Sequence, residues 1–297
     1  MVGKQERRYQ RMITVVLALI SLIMVIPLVL LVVASFTSNN EIVLHGYSFF
    51  PKELSLEAYR YIWNERAQVF HAYGITILVT AIGTTIGVMM TLLYAYVLAH
   101  EKFPGKTFLA FYLFFTMLFN GGLVPTYIMY TRYLHMKNTI PALIIPGLLM
   151  SAFNVILTRT YIQSNVPAAL SEAAKIDGAT EFQVFRKVAL PMCKPIIATV
   201  GLFAGLGYWN DWTNGLYYIT DTNKFSIQQL LNNMIKNIEF LSKNANSNIN
   251  LASVGGGIPQ ETVRMAIAIV GLLPILIVFP FVQKYFVKGI SIGAVKG

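Results

Sequence analysis

PAALSEAAKIDGATEFQVFRKVALP (167–191) is the polar interval in a mostly apolar chain, and the rest of the sequence is read around it. Long apolar runs flank it on both sides, so it lies outside a bilayer that its flanks cross. Pro167 suits a first helical turn, where its missing N–H costs nothing, and Ala168 to Ile176 are mostly strong helix formers. Gly178 can take the left-handed conformation that stops a helix. Thr180-Glu181-Phe182-Gln183 has the spacing of a capping box that starts a second short helix, which Pro191 ends. Two such helices joined at a glycine corner form a compact knob, marginal alone in water, so packing must hold it. Either a separate partner supplies that packing, or the segment is a re-entry loop resting on its own bundle.

Composition supports a membrane protein. Of 297 residues, 56% are hydrophobic and 12% charged, against about a quarter charged in soluble domains. Six apolar blocks of spanning length fall at about 12–36, 70–99, 108–130, 140–162, 195–218 and 264–287. The expected class is therefore all-α and integral to the membrane, with six transmembrane helices. The net charge of +10 is scattered over the connections rather than gathered on an aromatic-interleaved surface, which argues against nucleic acid. Lys and Arg outnumber Asp and Glu in the N-terminal tail, 100–107, 163–194 and the C-terminal tail, while 37–69, 131–139 and 219–263 are nearly balanced. Both termini and the 163–194 loop are thus expected on the cytoplasmic side. The block from Met12 to Phe36 is too long for a signal peptide and reads as a retained span.

The chain divides into a tail, first span and outer loop (1–69), a five-helix core (70–287) and a tail (288–297). Pro27, Pro125, Pro146, Pro274 and Pro280 lie within spans, and Gly83, Gly87, Gly201, Gly205 and Gly207 permit close helix contact. The outer segment 219–263 reads as a long, Asn-rich, glycine-containing loop that an external partner or substrate can touch.

No enzyme site emerges. His45, His71, His100 and His135 are dispersed without the spacing of a zinc site, and Cys193 is alone. Gly105-Lys106-Thr107 looks like the end of a phosphate loop, but position 100 is His where the leading glycine is required. A reaction driven by ATP needs another chain to bind it. Asp211 is the one good acidic candidate within a span, where an ionised Asp costs about 2.5–3.5 kcal/mol. Self-sufficient ion-coupled pumps usually carry several.

The interval at 167–191 resembles the EAA loop of ATP-binding-cassette importer permeases: E-A-A, three residues, G, nine residues, a branched aliphatic, one residue, L-P. Those positions are Glu172, Ala173, Ala174, Gly178, Val188, Leu190 and Pro191. Ala95 to Ala99 with Phe103-Pro104-Gly105-Lys106, Asn138-Thr139, Ile176 to Ala179, Trp209-Asn210-Asp211 and the tail from Tyr285 to Gly297 are similar to the carbohydrate-uptake permeases of the maltose-transporter type. Phe119 to Thr126 is similar to a branch handling complex oligosaccharides in Gram-positive bacteria.

The resemblance implies the type I importer permease fold in a bacterial plasma membrane. It also implies a homologous second permease chain, two ATPase subunits that bind ATP and Mg, and an extracellular solute-binding lipoprotein delivering oligosaccharide. The cytoplasmic knob would be the coupling helix, with Ala168, Glu172, Ala173, Ala174, Asp177, Gly178 and Pro191 as its ATPase-coupling residues. The C-terminal tail, with Lys296 and Gly297, would also reach the ATPase. Sugars are bound by aromatic faces and by side chains with several hydrogen-bonding groups. Trp209, Asn210, Asp211, Asn120, Asn154 and Tyr112 are accordingly the candidates for the substrate pathway. Two alternatives stand beside this reading: a stand-alone secondary transporter or channel, and an importer permease of the same architecture for a non-sugar solute.

Overall fold

The computed structural model of the protein describes residues 4–100, 103–245 and 259–294. Among them the secondary structure is helical, with one isolated bridge pair between Thr37 and Leu54. Three helices are long and apolar enough to cross a membrane: the main parts of α1 (Lys4–Ser35) and α15 (Gln260–Ala294), and all of α4 (Arg66–Ala99). The apolar blocks between them are bent or broken, which block lengths alone do not reveal. In the third block, α5 (Lys106–Leu118) meets α6 (Leu123–Ile128) and its π-helical continuation to Tyr133 at 114°. The bend falls where Asn120 Oδ1 accepts from the Gly122 N–H at 2.8 Å and Gly122 takes φ +83°.

The fourth block is α7 (Pro141–Ile144), an irregular stretch, and α8 (Ala152–Asn165). Pro146 disfavours helix in the residue before it, and Gly147 adopts φ +71°. Freed carbonyls there are met from elsewhere in the chain. Tyr208 donates its hydroxyl to Ile144 O at 2.9 Å, and Asn214 donates its amide to Pro146 O at 2.9 Å. Both donors come from the fifth block, which also is not one helix. α12 (Lys194–Trp209) stops at Asn210, and α13 (Thr213–Tyr218) follows.

Contacts divide the chain into two units, residues 1–69 with 231–274, and 70–230 with 275–297. In the first, α2 (Asn39–His45) and α3 (Glu57–Asn64) fold the outer segment after α1. The Glu41 carboxylate accepts the main-chain N–H groups of Lys52 and Glu53, at 2.7 and 2.5 Å. The Lys52 bond leads the effects that hold the Glu41 carboxyl below the usual carboxylate range. No part of the most apolar window of α1 is buried inside the protein.

In the second unit, one core joins α4, α5, α8 and α12 around Leu92, Leu98, Leu113, Val155 and Val200. Another gathers Val79, Leu143, Ile144, Tyr208 and Tyr218. Gly83 and Gly87 of α4 are where close approach is obligatory: a Cβ would lie 2.4 Å from the Tyr208 ring and 2.6 Å from Leu149 O, respectively. Gly201, Gly205 and Gly207 leave ordinary contact distances instead.

The outer segment 219–263 corrects the expectation of a loop. Its first half is α14 (Ile227–Ala245), with Ile227, Leu230, Leu231, Met234 and Ile238 buried. These positions follow helical spacing, a pattern hidden among the asparagines and glutamines of the segment. Its glycine-containing half lies outside the described residues.

Asn138 clamps this outer side. At φ +58° its Oδ1 accepts from the Thr220 N–H and hydroxyl and the Asp221 N–H, at 2.6, 3.2 and 3.1 Å, and its main-chain N–H donates to Tyr218 O. At roughly 0.5–1.5 kcal/mol per net hydrogen bond, Asn138→Gly is expected to destabilise the protein by about 2 kcal/mol. Gly keeps the backbone conformation, so thermal unfolding in detergent isolates the clamp, and an unchanged midpoint refutes it.

Candidate functional site

The polar interval folds as the sequence indicates. α9 (Ala168–Ile176) begins after Pro167, which sits at the cap rather than inside the first turn. Gly178 takes φ +84°, and the Asp177, Gly178 and Ala179 N–H groups close the helix on the carbonyls of Ala173, Lys175 and Ala174. The capping box is complete: the Gln183 N–H donates to Thr180 Oγ1 and the Thr180 N–H to Gln183 Oε1, starting α10 (Glu181–Val184).

Pro191 departs from expectation. It does not end the second helix but lies within the closing turn α11 (Leu190–Met192). The turn before it, Phe185–Ala189, is π-helical, with the Leu190 N–H reaching Phe185 O five residues back. A proline has no N–H for the carbonyl four residues earlier, and the widened turn accommodates that loss. The sharp change of direction, 81°, comes between Met192 and Lys194. The charged segment therefore turns away from the axis of α12.

One aromatic contact and one hydrogen bond seat the knob on α4, and an ion pair braces it internally. Tyr96, near the end of α4, packs edge-on against Phe185 at 5.0 Å between ring centroids, and its hydroxyl donates to Glu181 at 3.4 Å. Lys175 of α9 pairs with Glu181 of α10 across the glycine corner. That lysine is the main cause holding the Glu181 carboxyl below its ordinary range, with His100 adding a smaller pull. A depressed carboxylate stabilises the fold above its unfolded value and loses that contribution as pH falls below about 4.5. Hydrogen exchange at residues 175–183 is expected to quicken below that pH in the wild type and to lose this dependence in Glu181→Gln. An equal pH response in both proteins refutes the ion pair as the pin.

α9 itself is bare. None of its residues is buried; Leu170 and Ile176 are exposed, Ile176 by 87%, and Phe182 of α10 is exposed beside them. Ala168, Glu172, Ala173 and Asp177 are also exposed, and Ala174 is half-buried. The predicted coupling residues other than Pro191 thus lie together on one helix and its corner. Leu170, Ile176 and Phe182 were not singled out, although three large apolar residues in a charged interval were a visible signal.

The predicted pathway residues do not form one cluster. Asp211 Oδ1 accepts the N–H groups of Thr213 and Asn214 at 3.0 and 3.2 Å, capping α13. Asn210 donates back to Leu206 O at 3.0 Å at the end of α12. Trp209 tilts against Tyr73 at 6.3 Å, Asn120 holds the turn at Gly122, and Tyr112 is exposed on α5. Asn154 alone among them lines a cavity of about 370 Å³, together with Gly87, Thr91, the 147–149 backbone, Ser151 and Phe203.

Residues 83–292 match the family described as binding-protein-dependent transport system inner membrane component. The chain is 35% identical over 293 residues to the polygalacturonan/rhamnogalacturonan transport system permease protein YtcP of Bacillus subtilis, covering 99% of this chain and 100% of that one. It is 35% identical to the protein LplC of the same organism, over 93% of this chain and 90% of that one. Among solved structures it superposes, with a TM-score of 0.75 and 27% identity, on a chain of a bacterial ABC transporter involved in the import of the acidic polysaccharide alginate. That match covers 96% of this chain and 99% of the other.

Proposed function

This chain belongs to the inner membrane components of binding-protein-dependent transport systems, and from that premise we propose that it forms half of the pathway of an ATP-driven oligosaccharide importer. It is a membrane-embedded permease subunit of an ABC importer. The second half is a homologous permease chain. Two ATPase subunits bind ATP and Mg on the cytoplasmic side, where both termini of this chain also lie, and a solute-binding lipoprotein delivers the sugar outside. Ala168, Glu172, Ala173, Ala174, Asp177 and Gly178 present the coupling surface, while Pro191 shapes the helix behind it. The expected cargo is an oligosaccharide, acidic ones first, in keeping with the names of the relatives.

The observation that carries this reading is α9, a nine-residue helix with no buried side chain and with Leu170 and Ile176 exposed. A helix that short is unstable alone in water, and a groove on a partner supplies the missing packing. Closing of the ATPase pair then pushes on α9. The pin at Lys175–Glu181 and the Tyr96–Phe185 contact carry that push into α4.

The test is uptake of labelled galacturonan oligosaccharides into proteoliposomes holding the assembled complex. Accumulation is expected only with ATP, the ATPase subunits and the binding protein together. Accumulation by this chain alone under an ion gradient overturns the reading.

A further inference from the structure

We propose that the cavity at the break between α7 and α8 is a subsite of this chain for one sugar unit in transit, with Thr91, Ser151, Asn154 and the main chain of Gly147 to Leu149 as its hydrogen-bonding groups. The proposal rests on the oligosaccharide reading above and adds to it where in this subunit the cargo is touched.

The cavity's volume of about 370 Å³ falls within the roughly 300–1,000 Å³ usual for small-molecule sites. Three helices and the break line this open pocket: α4 gives Gly87 and Thr91, α8 gives Phe153 and Asn154, and α12 gives Phe203 and Gly207. Thr91 is only 2% exposed, yet its hydroxyl makes no hydrogen bond with another described residue. The Ser151 hydroxyl and the Asn154 amide on the same wall are likewise uncommitted among the described residues. Thr76 and Thr85 of α4 and Thr158 of α8 return their hydroxyls to carbonyls four residues back, while those of Thr80 and Thr84 of α4, away from the cavity lining, are also buried without a partner. A buried polar group without a partner costs free energy, so the buried Thr91 hydroxyl, with the half-buried Asn154 amide and the exposed Ser151 hydroxyl on the same wall, points to an occupant that bonds them.

The backbone agrees with the side chains. Irregular main chain within a membrane-crossing block persists only where protein covers it or a polar cavity borders it. Tyr208 and Asn214 cover the carbonyls of Ile144 and Pro146, but the N–H groups of Gly147 to Met150 find no acceptor among the described residues. Gly87 lets α4 approach Leu149 O without an intervening side chain, which closes the wall of the cavity there.

The chemistry of this lining selects its ligand. No charged side chain lines the cavity. Hydroxyls, an amide and free N–H groups match a ligand whose hydroxyls both donate and accept. The exposed rings of Phe153 and Phe203 offer apolar faces to the C–H side of a sugar ring. Uncharged contacts also keep the site weak enough to release what it holds, a condition of passage.

The experiment measures sugar delivered per ATP hydrolysed by the full complex in proteoliposomes, with labelled galacturonan and neutral glucan oligosaccharides as probes. Thr91→Val, close in shape, and Asn154→Ala are each expected to lower that ratio about tenfold. Stimulation of ATP hydrolysis by the loaded binding protein should stay within twofold of wild type, and Thr91→Ser should restore delivery. An unchanged ratio in both variants overturns the subsite while leaving the importer reading intact. So does a parallel fall of delivery and stimulation in Thr91→Val, which marks a purely structural role. Failure of the wild-type complex to move either sugar defeats the importer reading itself, and the subsite with it.

Discussion

Gly178→Val is expected to abolish ATP-coupled uptake, by more than tenfold, while the chain still inserts and accumulates in the membrane. The corner between α9 and α10 holds Gly178 at φ +84°, where an L side chain costs roughly 1–2 kcal/mol and a β-branched one is an outlier. The penalty is conformational rather than a matter of crowding, because a Cβ at this glycine meets nothing within 4 Å. The sequence suggested a packed corner; the structure shows an open one. Strain there tilts α9 against the Lys175–Glu181 pin and spoils a docking surface that this chain does not otherwise stabilise. Gly178→Asn, which tolerates the left-handed region better, is expected to keep a substantial share of uptake. Equal uptake and ATPase stimulation in Gly178→Val and wild type refute the coupling role.

Gly83→Ala is expected to have the largest effect on stability. The new methyl lies 2.4–2.6 Å from three atoms of the Tyr208 ring, which is buried and tied by its hydroxyl to Ile144 O. That ring cannot swing away without leaving the break in the fourth block unsatisfied. Overpacking of this kind costs typically 1–3 kcal/mol, and the lost hydrogen bond about 1 kcal/mol more. Thermal unfolding of the detergent-purified protein is the measurement. Adding Tyr208→Leu, which removes the ring, is expected to make the methyl at 83 nearly neutral. A full penalty in that double variant shows that the clash with Tyr208 is not the cause.

The legible and illegible parts of this protein divide along a physical line. Local signals were read correctly: the capping box at Thr180–Gln183 and the left-handed Gly178 depend on residues close in sequence. The bends at Asn120–Gly122 and Pro146–Gly147 carried glycine and proline signals. Whether such signals break a span depends on distant groups, here Tyr208 and Asn214, that satisfy the freed carbonyls. Asp211 shows another limit. Its rarity in an apolar block suggested contact with cargo, and only the packed structure reveals that its carboxylate also accepts the first N–H groups of α13. Thr91 carried no signal at all, since an unbonded hydroxyl is a property of the packed structure and not of its neighbours in sequence.

α1 has a consequence of a different kind. A segment whose most apolar window buries none of its side chains in its own chain adds little to the folding of that chain. Its side chains are released from the jigsaw that constrains α4 and α12, and substitutions among Leu, Ile, Val and Met there leave the interior unaltered. Such a segment is free to record something else: the thickness of the lipid around it, and the surface of whichever neighbour comes to lie beside it.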